Sequence, residues 1–129
     1  MKWIITLVLF LPIIASAHDL DLNSYLKLED ALAGDDFNSA TKIHSQICKG
    51  LGHYKEQYKG CENKNENIDQ LRESFKSLSV LHVDRVDKKK LQDFQVMECP
   101  MAKAKWIQEK GDVKNPYYGK SMLTCGQKV

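Results

Sequence analysis

Apolar positions in residues 24–52 recur every three or four places, which is the spacing of an α-helix. A first helix is predicted over residues 24–33, with Asn23 or Ser24 as its N-cap and Gly34 at its end. Asp35 or Asp36 can cap a second helix, which ends at the glycines of residues 50–52. The buried stripe of these two helices is predicted to comprise Tyr25, Leu28, Leu32, Phe37, Ala40, Ile43, Ile47 and Leu51. We therefore expect two antiparallel helices joined by a tight turn.

A third helix begins near Asn67, where Gln70 three residues later completes a capping box. Its apolar positions alternate in steps of three and four: Ile68, Leu71, Phe75, Leu78 and His82. The segment of residues 53–64 before it is polar and has no clear period, so it is predicted to be a surface connection.

After a charged stretch, residues 94–97 alternate as a short strand would, and residues 105–108 could form a second one. Asn115 and Pro116 mark a turn, while Trp106, Tyr117 and Tyr118 are expected to cover the core of this tail. The predicted fold is mainly α: a small bundle of three to four helices with a short β or irregular C-terminal segment.

Residues 1–17 have the pattern of a secretory signal, with Lys2, an apolar run from Trp3 to Ile14, and Ala15, Ser16 and Ala17 before the predicted cleavage site. The run is shorter than the roughly 20 residues of a membrane span. We expect a single exported domain over residues 18–129, periplasmic or otherwise secreted, without stable membrane insertion. Residues 94–126 form its Cys- and Met-bearing segment.

The charge of the protein does not support nucleic-acid binding. The whole chain has 19 Lys and Arg residues and 17 Asp and Glu residues, and one of the lysines lies in the predicted signal, so the exported domain is nearly neutral. Motifs for a serine hydrolase, a phosphate loop or a zinc protease are missing from the sequence. A non-enzymatic protein is therefore expected.

The sharpest chemical pattern is four sulfur atoms near the C-terminus: Cys99, Met101, Met122 and Cys125. Thiolate with thioether favours Cu(I) or Ag(I) over Zn(II), so a soft-metal site is one interpretation. The other is a Cys99–Cys125 disulfide, whose 27-residue loop would stabilise the fold by about 3 to 4 kcal/mol, with both methionines as core filler.

Cys48 and Cys61 lie 13 positions apart and are predicted to form a disulfide. The competing hypothesis is a metal site that includes His44, which lies one helical turn before Cys48. Only two ligands are visible in that pattern, so the disulfide is the preferred interpretation.

Two C-terminal blocks carry a family resemblance: Cys-Pro-Met-Ala from Cys99, and Asn-Pro-Tyr-Tyr-Gly from Asn115 to Gly119. Further matching positions are Ala31, Leu32, Asp35, Asp36, Phe37, Ala40, Ile68, Arg72, Phe75, Leu78, Ser79, Met122, Leu123, Cys125 and Gly126. Together they resemble a bacterial family of exported domains of unknown function, also found appended to periplasmic adaptor subunits of heavy-metal efflux pumps. The resemblance implies copper or silver handling and envelope or efflux partners, and Cys48 and Cys61 lie outside its pattern.

Overall fold

The computed structural model describes residues 20–129, so the predicted signal peptide lies outside the described residues. Three α-helices come first: α1 (Leu22–Ala33), α2 (Phe37–Gly50) and α3 (Ile68–Arg85). Three strands follow: β1 (Phe94–Cys99), β2 (Ala104–Glu109) and β3 (Gln127–Lys128). No helix in residues 20–129 has both the length and the apolar character that crossing a membrane requires.

The helix ends follow the polar residues that can cap them. The Asp36 carboxylate accepts the backbone N–H of Ser39 at 3.0 Å, and the Asn67 side chain accepts that of Gln70 at 2.9 Å, as the capping patterns predicted. The first helix begins earlier than expected, because Asp21 rather than Asn23 or Ser24 is its cap. The three predicted helices are confirmed with these boundaries.

The predicted fold class is wrong in its C-terminal third. The strands form an antiparallel sheet in the order β2-β1-β3, and the protein is a mixed α/β domain rather than a helical bundle with an irregular tail. The hairpin runs in register from Phe94↔Glu109 to Cys99↔Ala104, and its turn holds Pro100 and Met101. The hairpin strands were expected, whereas the third strand arises from long-range pairing of Met97 and Glu98 with Lys128 and Gln127.

The core lies between the helices and β2. The main neighbour of α3 is β2, whereas α1 packs chiefly on α2, so the sheet replaces a fourth helix as the layer that covers α3. Fully buried side chains come from both layers: Tyr25, Leu28, Leu32, Leu71, Phe75, Leu78, Trp106 and Ile107. The predicted surface connection is more ordered than expected, because Tyr58 within it is buried.

Candidate metal centre

The two C-terminal thiols meet where the sheet joins the following turn. Cys99 ends β1 and is fully buried against the core, whereas Cys125 is half-buried just before β3. Their Sγ atoms lie 3.8 Å apart and are not bonded to each other. The structure therefore brings together two of the four predicted sulfur ligands.

A buried asparagine holds Cys125 in place. The Asn115 side-chain N–H donates to the Cys125 carbonyl at 2.6 Å, and its Oδ1 accepts the backbone N–H groups of Tyr117 and Tyr118. The Asn115 backbone N–H also donates to the Leu123 carbonyl at 2.8 Å. The Asn-Pro-Tyr-Tyr-Gly block is thus the support that carries the second thiol back to the end of β1.

The remaining residues predicted to be structural belong to the hydrophobic core or lie against it. Phe75 and Trp106 are fully buried, and the Tyr117 ring lies 5.8 and 5.9 Å from them, centroid to centroid. The other members of the set are buried or half-buried: Phe37, Leu78, Pro116, Tyr118 and Gly119.

The pKa of the Cys125 thiol is raised, first by its hydrogen bond with Cys99 and then by desolvation. Catalytic cysteines have the opposite property, a lowered pKa that maintains a nucleophilic thiolate. A metal ion can bind this pair by displacing the proton that Cys125 holds at neutral pH.

The separation of the two sulfur atoms is compatible with both interpretations of the pair. Two thiolates about 2.3 Å from one tetrahedral ion lie about 3.8 Å from each other. A disulfide needs the two atoms at about 2.05 Å, so the sulfur atoms would have to move closer together than they are here.

The two thioethers are held less firmly than the thiols. Met101 is 64% exposed in the β1–β2 turn, so packing does not fix its side chain. Met122 is half-buried, and its carbonyl accepts the Cys125 backbone N–H at 3.1 Å. Met122 is therefore in the same turn as one thiol, while Met101 lies at the tip of the hairpin.

The predicted Cys48–Cys61 disulfide is confirmed, with the two Cα atoms 5.7 Å apart. His44 lies beside it: its ring nitrogens are 3.8 and 3.9 Å from Cys48 Sγ, and its Nε2 is 2.7 Å from the Tyr58 hydroxyl. The His44, Cys48 and Cys61 donor atoms lie within 4.8 Å of one another. As long as the sulfur atoms are bonded to each other, they are not thiolate ligands. Burial lowers the pKa of His44 and so favours its neutral form.

Sequence reasoning missed the buried carboxyl group of Glu29. Its position carried a signal, because Glu29 lies four residues after Tyr25 and three before Leu32, within the apolar stripe of α1. The structure buries it together with that stripe.

Comparison of the chain with protein-family models, curated proteins and solved structures finds no match. The proposed function therefore rests on the geometry of the site.

The Cys48–Cys61 disulfide is consistent with an oxidising compartment.

Proposed function

We propose that this protein is an exported, non-enzymatic domain that binds a soft metal ion, Cu(I) or Ag(I), in the periplasm. Cys99 and Cys125 are the primary ligands. The observation that carries the proposal is their 3.8 Å separation as free thiols in a chain whose other two cysteines are bonded.

The surroundings of the pair suit a soft ion. Both donors are sulfur, which Cu(I) prefers over the oxygen and nitrogen donors that harder ions take. Burial of Cys99 protects one ligand from solvent, and the half-buried Cys125 leaves a route for the ion. Met122 is the better-held candidate for a thioether ligand, because it is half-buried in the turn that leads to Cys125. Met101 is 64% exposed and can join only if the hairpin turn folds inward.

The family resemblance of the sequence also favours binding of a soft metal ion. The family that the sequence resembles comprises exported domains and appendages of heavy-metal efflux adaptors, and on this ground efflux or other envelope proteins are the proposed partners. A half-exposed thiol at the protein surface is the arrangement that transfer of an ion between proteins requires.

A second candidate function is an interaction module of the cell envelope that holds no metal and is stapled by a Cys99–Cys125 disulfide. The short distance between the two sulfur atoms also favours this candidate. The two functions differ in one measurable state: the metal site requires thiols at Cys99 and Cys125, and the staple requires them oxidised.

The test is anaerobic titration of the protein, with Cys99 and Cys125 reduced, by Cu(I) in competition with a chromogenic Cu(I) chelator. We expect about one ion per chain and little affinity for Zn(II). Cys99→Ser and Cys125→Ser should each abolish binding. Met122→Leu and Met101→Leu should weaken it with little loss of stability, because Leu and Met are close in volume.

The matched control is the Cys48→Ser, Cys61→Ser double variant, which removes two sulfur atoms elsewhere and should retain Cu(I) binding. Unchanged affinity in the Cys99→Ser, Cys125→Ser double variant would overturn the proposal. A count of no free thiols in protein isolated from the periplasm would favour the stapled module.

A further inference from the structure

Glu29 is 2% exposed, and its Oε1 atom is the one buried side-chain nitrogen or oxygen atom without a hydrogen-bond partner in the described part of the chain. Burying a carboxyl oxygen that has no hydrogen-bond partner costs about 2 kcal/mol or more. Such a group in a folded protein calls for an explanation, and an ion or water at the site is the usual one.

The carboxyl group lines a small cleft of about 70 Å³ between α1 and the loop that follows β2. Three more acids line the same cleft: Asp30 from α1, Glu109 at the end of β2, and Asp112 from the loop. Two lysines also face it, Lys110 and Lys114. With all four acids ionised, the lining therefore carries two more negative than positive charges.

The loop is held in a fixed shape by Gln108, whose side chain is buried. The Gln108 amide N–H groups donate to the carbonyls of Asp112 at 2.8 Å and Glu109 at 3.3 Å, and its Oε1 accepts the Lys114 backbone N–H at 3.0 Å. The backbone that carries the acids is thereby fixed opposite α1, while their exposed side chains are free to rotate.

We propose that this cleft binds a hard divalent cation, with Ca²⁺ as the best fit, through Glu29 at its floor and Asp30, Glu109 and Asp112 at its mouth. The acidic donors are carboxylate oxygens, the ligands that Ca²⁺ prefers. Ca²⁺ also accepts irregular geometry, whereas Mg²⁺ demands a near-ideal octahedron. The site is separate from the thiol pair and does not rest on the function proposed for it.

Binding requires local rearrangement of side chains. The one group of three His, Cys, Asp or Glu donors within 4.8 Å in residues 20–129 is at His44, so the carboxylates of the cleft must be drawn inward by the ion. Asp30 must also leave Lys114, whose Nζ lies 3.7 Å from Asp30 Oδ1. We therefore expect an affinity typical of extracellular Ca²⁺ modules, with Kd about 0.1 to 1 mM at about pH 8.

The cation must also displace a proton from Glu29. The pKa of Glu29 is raised to about 9, mainly by burial and further by the charges of Asp30 and Glu109 and a hydrogen bond with Asp30, against the lowering effect of Lys114. Lys110 and Asp112 are the other charged groups that face the cleft. Binding should therefore release about one proton, and Kd should fall about tenfold for each unit of pH rise below that pKa.

The experiment is calorimetric titration of the full chain with CaCl₂ between about pH 6.5 and 8.5, in two buffers of different ionisation enthalpy. We expect one Ca²⁺ per chain with the stated pH dependence. Glu29→Gln should abolish binding, and Lys114→Gln should tighten it by releasing Asp30. Glu66→Gln, which changes an exposed acid outside the cleft, should leave it unchanged.

Thermal unfolding provides a second measurement of Ca²⁺ binding that does not depend on the heat of binding. Millimolar CaCl₂ should raise the Tm of the wild type and of Glu66→Gln but not that of Glu29→Gln. Retained Ca²⁺ binding by folded Glu29→Gln would overturn the proposal. So would a wild-type Tm that Ca²⁺ does not change across the pH range, which would leave Glu29 as a protonated acid bonded to water.

Discussion

Arg72 Nη2 donates to Asp35 Oδ1 across 2.6 Å, which joins the N-terminal part of α3 to the turn between α1 and α2. The same guanidinium is buried and also donates to the carbonyls of Leu32 at 2.8 Å and Pro116 at 2.9 Å. Gly119 packs directly against this ion pair, and a Cβ at that position would overlap the Asp35 carboxylate. One arginine thus links two helices to the loop that positions Cys125.

Arg72→Lys should lower the free energy of unfolding by about 2 to 4 kcal/mol, because a lysine cannot reach both carbonyls and the carboxylate at once. Asp35→Asn should cost only about 1 kcal/mol, since the Asp35 side chain is 39% exposed and its ion pair is screened. Urea unfolding of the two variants measures both losses. Equal losses would contradict our view that the carbonyl contacts dominate.

Tyrosine hydroxyls form hydrogen bonds with backbone groups on the outer edge of β2. Tyr25 Oη accepts the Ile107 backbone N–H at 3.1 Å and shares a 2.8 Å hydrogen bond with Ser79 Oγ, and Tyr117 Oη donates to the Lys105 carbonyl at 2.6 Å. An open strand edge is a template for aggregation, so these contacts protect the sheet.

Tyr25→Phe should lower the free energy of unfolding by about 1 to 3 kcal/mol, because it leaves the buried Ile107 N–H without a partner. Hydrogen exchange at Ile107 should speed up in the same variant. Tyr118→Phe is the matched control, since no hydrogen bond of its hydroxyl is found within residues 20–129, and it should be nearly neutral. Unchanged exchange at Ile107 would show that Tyr25 does not protect this edge.

The helices were predictable because their caps and apolar periods are local. The sheet was only half predictable. In β2 three consecutive residues, Trp106, Ile107 and Gln108, are all buried, so the alternation that identifies a strand is lost. β3 is two exposed residues defined only by pairing with β1, and no local pattern marks it.

Some features of the candidate site could also be predicted from local sequence, and others could not. The Cys48–Cys61 pair was predictable from its short separation and the secretory pattern. The proximity of Cys99 to Cys125 depends on the Asn115 network and on the strand pairing, which the sequence pattern does not encode locally. Glu29 is absent from the predicted stripe because that stripe was built from apolar residue types alone, although position 29 lies on the same helix face.

Loss of the Cys48–Cys61 disulfide should destabilise the protein without affecting the thiol pair. The Cys48→Ser, Cys61→Ser variant should lose about 3 kcal/mol, because the unfolded chain is no longer constrained by a 14-residue loop. Thermal or denaturant unfolding measures the loss. Peptide mapping of the oxidised wild type that pairs either residue with Cys99 or Cys125 would contradict the assignment.

Glu29 should make the free energy of unfolding depend on pH. Its pKa is about 9 in the folded protein and 4.5 for an unperturbed glutamate, so the folded state holds one more proton than the unfolded state between these values. The contribution of Glu29 to stability should therefore be fully present below about pH 4.5 and fall by up to about 1.4 kcal/mol per pH unit as pH rises towards 9.

Glu29→Gln should flatten this dependence and be more stable than the wild type at about pH 8, because the amide stays neutral. Denaturant unfolding in metal-free buffer with a chelator isolates the proton effect from any cation. Glu66→Gln should retain the wild-type slope. Equal slopes for wild type and Glu29→Gln would show that the carboxyl group finds a partner in solution and is not the titrating group.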